Sequence, residues 1–236
     1  MTIKTSHDEG DLLDKLGAFF DSKIQPKMKD IEKLLKKEIE LGKLKPENLI
    51  DYDPDSSFSY ISAFLRDKGV SAVMPSSRFL VDRVLKAMDL GHAPVVVEFG
   101  PAEGVMTRRI LHSMPEDGVL LAIELNGDFV KSVKRIRDPR LRVVQGDVQD
   151  VEKHMARLGL PKADVLVSGI PFSFFDAEGR VRLLDKIDSC LKPAGRFVAY
   201  QVTTHLIPLL RRKFRDVDGF LELRNIPPHF VFTAKK

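Results

Sequence analysis

The chain has 236 residues, 43% of them hydrophobic and 31% charged, with a formal net charge of +4, so it can bury one full-sized core with an appendage to spare. Such mild basicity permits anionic partners without demanding them, and the single Cys190 excludes a disulfide framework and a cysteine-based zinc site. No apolar run reaches the roughly 20 residues that cross a bilayer, and the start, MTIKTSHDEGDLLDK, has no apolar signal-peptide core; a cytoplasmic protein is the expectation.

The first pattern spans residues 11–44, where Leu12, Leu16, Phe20, Ile24, Met28, Ile31, Leu35 and Ile39 recur mostly three or four apart. That spacing predicts one face of one or two amphipathic helices, bent or broken near Pro26. Lysines crowd the second half, from Lys23 to Lys45. Either this arm packs on the core with its charged face in water, or it is a basic helix that touches anionic lipid. LKPENLIDYDPDSSF then reads as a connector. The expected division is an N-terminal helical arm and connector over 1–58 and one globular domain over 59–236.

Helix and strand patterns alternate after the connector. SYISAFLRDKG reads as helical, and Pro75-Ser76-Ser77 can cap a helix over 78–88. Apolar runs of strand length follow at 94–99, 119–124, 141–145, 164–168 and 196–202, with helical segments over 104–113, 128–136, 148–158 and 177–191 between them. Two more strands, 220–224 and 229–233, close the chain. Continuous apolar strands alternating with helices predict an α/β fold with a mostly parallel sheet covered on both faces.

The sharpest local signal is VVVEFGPAEG, residues 95–104. A buried strand enters a glycine-bearing turn that opens a helix, a topology that lets a nucleotide approach the backbone at the sheet's carboxyl edge. Gly100 and Gly104 stand where side chains would collide with such a ligand, and Ala102 occupies the place a third glycine often takes. The second strand ends in Glu124, followed by Leu125, and an acid there can accept both ribose hydroxyls of an adenosine. The third strand leads to Asp147 and Val148, where a carboxylate can accept adenine's exocyclic amine. Each acid alone reads as a surface carboxylate or a helix cap. All of them in order, on successive strands, point to an adenosine-bearing cofactor.

This combination resembles the class I S-adenosylmethionine-dependent methyltransferases over about 71–236. The resemblance implies a Rossmann-like, seven-stranded, mostly parallel sheet with helices on both faces and its last strand antiparallel. It implies S-adenosylmethionine as cofactor, with S-adenosylhomocysteine as product and no metal. Glu98, Gly100, Pro101 and Gly104 would cradle the methionine moiety, Glu124 and Leu125 the ribose side, and Asp147 and Val148 the adenine; Ser168 borders both cofactor and acceptor. A nicotinamide dehydrogenase shares the first βαβ unit, but the turn here is EFGPAEG rather than GxGxxG, and the third-strand Gly146-Asp147 is typical of methyltransferases.

Methyl transfer to an amine needs alignment more than acid–base machinery, so the acceptor must be sought in SGIPFSFF, at the end of the fourth strand. Enzymes that methylate adenine carry N-L-P-Y or a close relative there, the asparagine accepting the amine hydrogen and the aromatic stacking on a flipped base. Here Gly169 replaces the asparagine. Bacterial phospholipid N-methyltransferases, related in fold to the ribosomal RNA adenine dimethyltransferases, are the better resemblance, from about residue 59 to the end. They share S-G-[LI]-P, a V-E-F-G-P turn, E-x-N after the second strand and a C-terminal RNIPP; this chain departs from them at Ala102, at YQVTTHL and in its long arm.

That resemblance implies methylation of the amine of phosphatidylethanolamine, towards its monomethyl derivative and phosphatidylcholine. A phospholipid substrate and an anionic membrane surface are then the expected partners, with nucleic acid unlikely, no obligate protein partner, and a peripheral position on the inner face of the cytoplasmic membrane. Ser168, Gly169, Ile170, Pro171 and Tyr200 are the candidates beside the transferred methyl group. Tyr60, Arg78, Phe172 and Arg224 are candidates for holding the lipid phosphate or lining the amine pocket. An RNA adenine N-methyltransferase, a small-molecule amine methyltransferase and a non-catalytic cofactor-binding module remain as alternatives.

Overall fold

In the computed structural model the described residues are 2–3, by backbone alone, 76–225 and 228–236. The arm, the connector, the helix expected in SYISAFLRDKG, Tyr60, and Ile226 and Pro227 of RNIPP all lie outside them.

The elements run, in chain order, β1 (Thr2–Ile3), α1 (Arg78–Met88), β2 (Val95–Phe99), α2 (Val105–Ser113), β3 (Val119–Glu124), α3 (Gly127–Lys134), β4 (Leu141–Gln145), α4 (Val151–Arg157), β5 (Ala163–Ser168), α5 (Ala177–Cys190), β6 (Leu191–Gln201), α6 (Ile207–Lys213), β7 (Asp216–Glu222) and β8 (His229–Lys235). One sheet holds all the strands in the order β1-β7-β8-β6-β5-β2-β3-β4. From β4 to β6 neighbours are parallel, and β8 runs antiparallel to both β6 and β7. The seven expected strands are present with the last one reversed, and two residues at the N-terminus pair antiparallel with β7 as a short eighth.

Both faces of the sheet are covered, which is why β2 and β5 are buried along their whole length instead of alternating. Val95, Val97 and Phe99 of β2 point into a core built with α4, α5 and α6. Val96 points into the other, built with α1 and α2. Local chemistry starts the helices where the sequence suggests: Ser77 Oγ accepts from Leu80 N at 3.2 Å, Asn126 Oδ1 from Asp128 N at 2.8 Å and Asp176 Oδ1 from Gly179 N at 2.6 Å.

Beyond shifts of a few residues at element ends, three differences from expectation stand out. β6 starts at Leu191, straight from the end of α5, and a register shift opposite Ala163 and Val165 absorbs the Lys192-Pro193-Ala194-Gly195 detour. β7 lies earlier than 220–224, because Val217 and Gly219 are buried and Leu223 and Arg224 turn out of the sheet. Helix α6 was not expected; Pro208 sits in its first turn, where a missing amide hydrogen costs nothing. A short 3-10 turn, Val148–Asp150, precedes α4.

Candidate active site

The chain leaves β2 for β3 and β4 on one side and returns through β5 and β6 on the other, so the order reverses between β2 and β5. Ligands of open α/β sheets bind outside the strands' carboxyl ends at such a reversal. Phe99 and Ser168 are register partners there. Gly100 N donates to Ile123 O at 3.0 Å and Gly169 N to Phe99 O at 3.2 Å, which fixes both loops to the sheet.

Three residues of the first loop have positive φ: Gly100 at 68°, Ala102 at 49° and Gly104 at 81°. The glycines prove necessary for a reason other than ligand collision. A Cβ on Gly100 would lie 2.8 Å from Ile170 Cγ1, and one on Gly104 2.7 Å from Ile136 Cδ1. Gly100 thus lets the cofactor loop and the acceptor loop touch. Pro101 is buried and its carbonyl accepts from Gly104 N at 2.8 Å.

Two carboxyl groups sit under this loop. Glu98, at the end of β2, is buried; burial pushes its pKa up to about 8, against a lowering hydrogen bond from Thr107 and with nearby Glu124 adding to the rise. Thr107 Oγ1 donates to its Oε2 at 2.7 Å, while Oε1 has no partner among the described residues. Glu124 is also held above the usual carboxylate range by burial, against lowering backbone hydrogen bonds. Its Oε2 accepts from Ala102 N at 3.1 Å and its Oε1 from Asn126 N at 2.9 Å. The carboxylate expected to face a ribose therefore also braces the glycine loop, and each oxygen keeps a lone pair for a ligand.

The adenosine side lies along β3 and β4. Leu125 is 71% exposed beside Glu124, an apolar surface open to a ring. Asp147 is exposed at the same edge, its oxygens accepting from Gln149 N at 2.8 Å and Gln149 Nε2 at 3.2 Å, and Val148 is buried in the core behind it. Gly146 has its own reason to be glycine: a Cβ would come 2.7 Å from His154 Nε2.

On the acceptor side, buried Ser168 accepts from Ile170 N at 3.3 Å. Pro171, with φ −65°, opens a 3-10 turn over Phe172–Phe174. Phe172, one of the substrate-side candidates, is buried. Its ring is in the core, 6.1 Å from Phe175 and 6.0 Å from Phe197, and its amide donates to Gln201 Oε1 at 3.3 Å. Arg180 Nε donates to the carbonyls of Phe172 and Phe175 at 3.0 and 2.9 Å. Phe174 faces outward at 54% exposure. Tyr200, half-buried near the end of β6, lies directly over Gly169: a Cβ there would be 2.7 Å from the phenol's Cζ and closer still to its hydroxyl. Burial, with a smaller contribution from Glu98, holds the phenol well above its ordinary pKa and therefore neutral.

Arg78 and Arg224 converge from α1 and the β7–β8 turn on Phe79, their guanidinium carbons 4.8 and 4.2 Å from the ring centroid. Asn225 Oδ1 accepts from Ser77 N at 2.7 Å, and its amide meets His229 Nδ1 at 3.0 Å. Phe79, Glu222 and His229 were not among the expected residues. The RNIPP resemblance singles out Arg224 and Asn225, but pairing across the sheet is what brings them to the start of α1. Among the described residues no cluster of three His, Cys, Asp or Glu is placed to hold a metal.

No protein-family model matches the chain. An ornithine lipid N-methyltransferase from Singulisphaera acidiphila is 28% identical over 182 residues, covering 75% of this chain and 95% of that one. A ribosomal RNA small subunit methyltransferase A from a Synechococcus species is 34% identical over 119 residues, but the match spans only 40% of that protein. Among solved structures, the precorrin-6y C5,15-methyltransferase of Geobacter metallireducens superposes with a TM-score of 0.55 at 18% identity, covering 66% of this chain and 87% of that one, a likeness of fold. An orphaned buried carboxyl oxygen, a loop of positive φ and an acid with spare lone pairs suit a cofactor that carries both cations and a ribose. The sheet, the loop and the relatives make the chain an S-adenosylmethionine-dependent methyltransferase of the class I fold, similar to lipid N-methyltransferases and to the ribosomal RNA enzymes.

Proposed function

We propose that the protein methylates the amine of a membrane lipid, with phosphatidylethanolamine as the candidate acceptor. S-adenosylmethionine supplies an electrophilic methyl group on a sulfonium. Glu124 and Leu125 are the residues for its ribose side, Asp147 for its adenine, and the turn from Gly100 to Gly104 for its methionine end. The side chains around Gly169 have to present a neutral nitrogen and leave a route for the released proton.

The observation that carries the lipid reading is the pairing of Gly169 with Tyr200. Position 169 is where adenine methylation calls for an asparagine, and the phenol already fills the volume its Cβ would need. An amide acceptor has no room there. A neutral tyrosine hydroxyl, with no hydrogen-bond partner among the described residues, takes its place and suits a flexible primary amine better than the edge of a flat base. The similarity to an ornithine lipid N-methyltransferase favours a lipid amine in the same direction.

A lipid acceptor requires docking at a membrane surface. No helix among the described residues is long and apolar enough to cross one. Phe174 at 54% exposure, on the acceptor loop, and Leu223 at 69%, next to Arg224 in the chain, are exposed apolar side chains that suit contact with acyl chains, with the arginines for anionic head groups. The lysine-rich arm would add to that contact. Incubation with S-adenosylmethionine and liposomes containing phosphatidylethanolamine and an anionic lipid tests the reading. Methylated lipid is expected; none, with cofactor binding intact by calorimetry, refutes it, and label in RNA instead would favour the ribosomal RNA alternative.

A further inference from the structure

We infer that Arg78 and Arg224, gathered around Phe79, form the subsite for the anionic group of the acceptor lipid, a phosphodiester or carboxylate a few bonds from its amine. This rests on the lipid-amine reading and adds to it what the head group must carry besides an amine.

Position is the first support. The end of β6, the start of β8 and the end of β7 meet at the carboxyl edge, with Glu222 in register with His229 and Gln201 with Phe230. From Gly169 a continuous line of contacts runs through the Tyr200 ring to His229, whose ring centroid is 6.5 Å from it. It continues from His229 to Asn225 at 3.0 Å and from Asn225 to the amide of Ser77 at 2.7 Å. Arg78 follows Ser77 and Arg224 precedes Asn225. The backbone that carries the two arginines is thus tied to the acceptor loop through only three side chains.

Charge is the second. Three guanidinium groups share this corner with one carboxylate. Arg224 holds Glu222 with two bonds, at 2.8 and 2.9 Å, and Arg83 Nε lies 3.8 Å from the same carboxylate while its guanidinium covers Phe220 at 3.6 Å. The pair lowers the pKa of Glu222 through its hydrogen bond to Arg224, which keeps it ionised. Arg78 has no carboxylate partner among the described residues, and Nη1 of Arg224 makes no hydrogen bond among them. A brace for the β7–β8 corner explains the pair of Arg224 with Glu222 but does not involve Arg78, which among the described residues stacks on Phe79.

Pre-organisation is the third. A long arginine side chain loses freedom when it binds an anion, a cost that falls when an aromatic face already orders it. Phe79 does this for both side chains. Neighbouring Leu223, 69% exposed, continues the corner as apolar surface, as the glycerol and acyl part of a lipid requires.

The test uses the full chain and two substitutions that spare the fold: Arg78→Gln, which breaks no ion pair among the described residues, and Arg224→Lys, which keeps a cation beside Glu222. Methyl transfer is measured in phosphatidylcholine vesicles, free of net anionic lipid, carrying phosphatidylethanolamine, an amino-acid-headed lipid with a free carboxylate and amine, or stearylamine, which has no anion. Arg78→Gln should raise KM for an anion-bearing substrate roughly tenfold or more with kcat little changed, and leave stearylamine unaffected. An effect confined to phosphatidylethanolamine assigns a phosphodiester, one confined to the amino-acid lipid a carboxylate, and one on both a general oxyanion cradle. Equal KM values for wild type and variant overturn the subsite. Binding of soluble dihexanoyl phosphatidylethanolamine, followed by calorimetry without turnover, separates the two claims. Binding that weakens in Arg78→Gln while no lipid is methylated sustains the subsite and refutes the lipid-methylation reading. Equal binding in both proteins, or none in wild type, overturns the subsite.

Discussion

Replacing Glu124 with alanine removes two things at once, a brace inside the glycine loop and the proposed ribose contact. Its oxygens hold the amides of Ala102 and Asn126 at 3.1 and 2.9 Å, so the substitution leaves the Ala102 donor buried without an acceptor. An orphaned buried donor costs about 1–3 kcal/mol. At about 2–4 °C per kcal/mol for a domain of this size, the cofactor-free protein should melt several degrees lower. Cofactor affinity should fall further, because the proposed hydrogen bonds to the ribose hydroxyls would be lost and Ala102, at φ 49°, loses its anchor. Hydrogen bonds to a charged group, at about 1.5–3 kcal/mol, convert to roughly tenfold to a hundredfold weaker binding. Glu124→Gln keeps one acceptor oxygen and should fall between. Calorimetry with S-adenosylmethionine and thermal unfolding without it measure the two parts. Unchanged affinity would mean that the ribose is held elsewhere, and an unchanged melting temperature would mean that the brace carries no weight.

Three further expectations follow from the same site. Ala102→Gly should raise stability by about 1 kcal/mol, since an alanine in the left-handed region bears roughly that cost; a lower melting temperature would show that the alanine side chain contributes packing instead. Glu98, raised to about 8 by burial, holds a proton in the native state that the unfolded chain releases above its ordinary 4.5. Its contribution is therefore full at acidic pH and lost as pH rises towards 8, by up to about 1.4 kcal/mol per pH unit, and Glu98→Gln should flatten that slope. Parallel stability–pH curves for the two proteins in urea would contradict it. Gly169→Asn should not create an adenine methyltransferase: its Cβ strikes Tyr200, so stability should drop by about 1–3 kcal/mol and lipid methylation should fall. A well-folded variant with new activity on RNA would undo the account of this position.

The placement of the candidate cofactor residues was legible because a strand's last residues are fixed by the sheet: once β2, β3 and β4 are read, Glu98, Glu124 and Asp147 must arrive at one edge. The acceptor half was legible only in outline. That Gly169 lacks a side chain is visible in the sequence, but the reason, Tyr200 lying across it from β6, depends on the parallel register of β5 and β6. Phe172 shows the opposite limit, since an aromatic after a proline at a strand end reads equally well as a ligand platform or as core, and neighbours Phe175 and Phe197 decide for core. Glu222 and Phe79 carry no local signal at all; their importance comes from the meeting of α1 with the far hairpin, some of the longest-range contacts in the chain. Helix α6 was hidden by Pro208, a breaker by habit that is harmless in a first turn.

The claim at the centre of this account, methylation of a lipid amine, is tested most directly in cells. The protein and its Glu124→Ala variant are expressed in a bacterium that makes phosphatidylethanolamine but no methylated derivative, and the extracted lipids are analysed by mass spectrometry. The account predicts a new amine lipid one methylene heavier, abundant with the wild-type chain and scarce with the variant. A lipid profile identical to that of the empty host, with folded and cofactor-binding protein present in the cells, would contradict it.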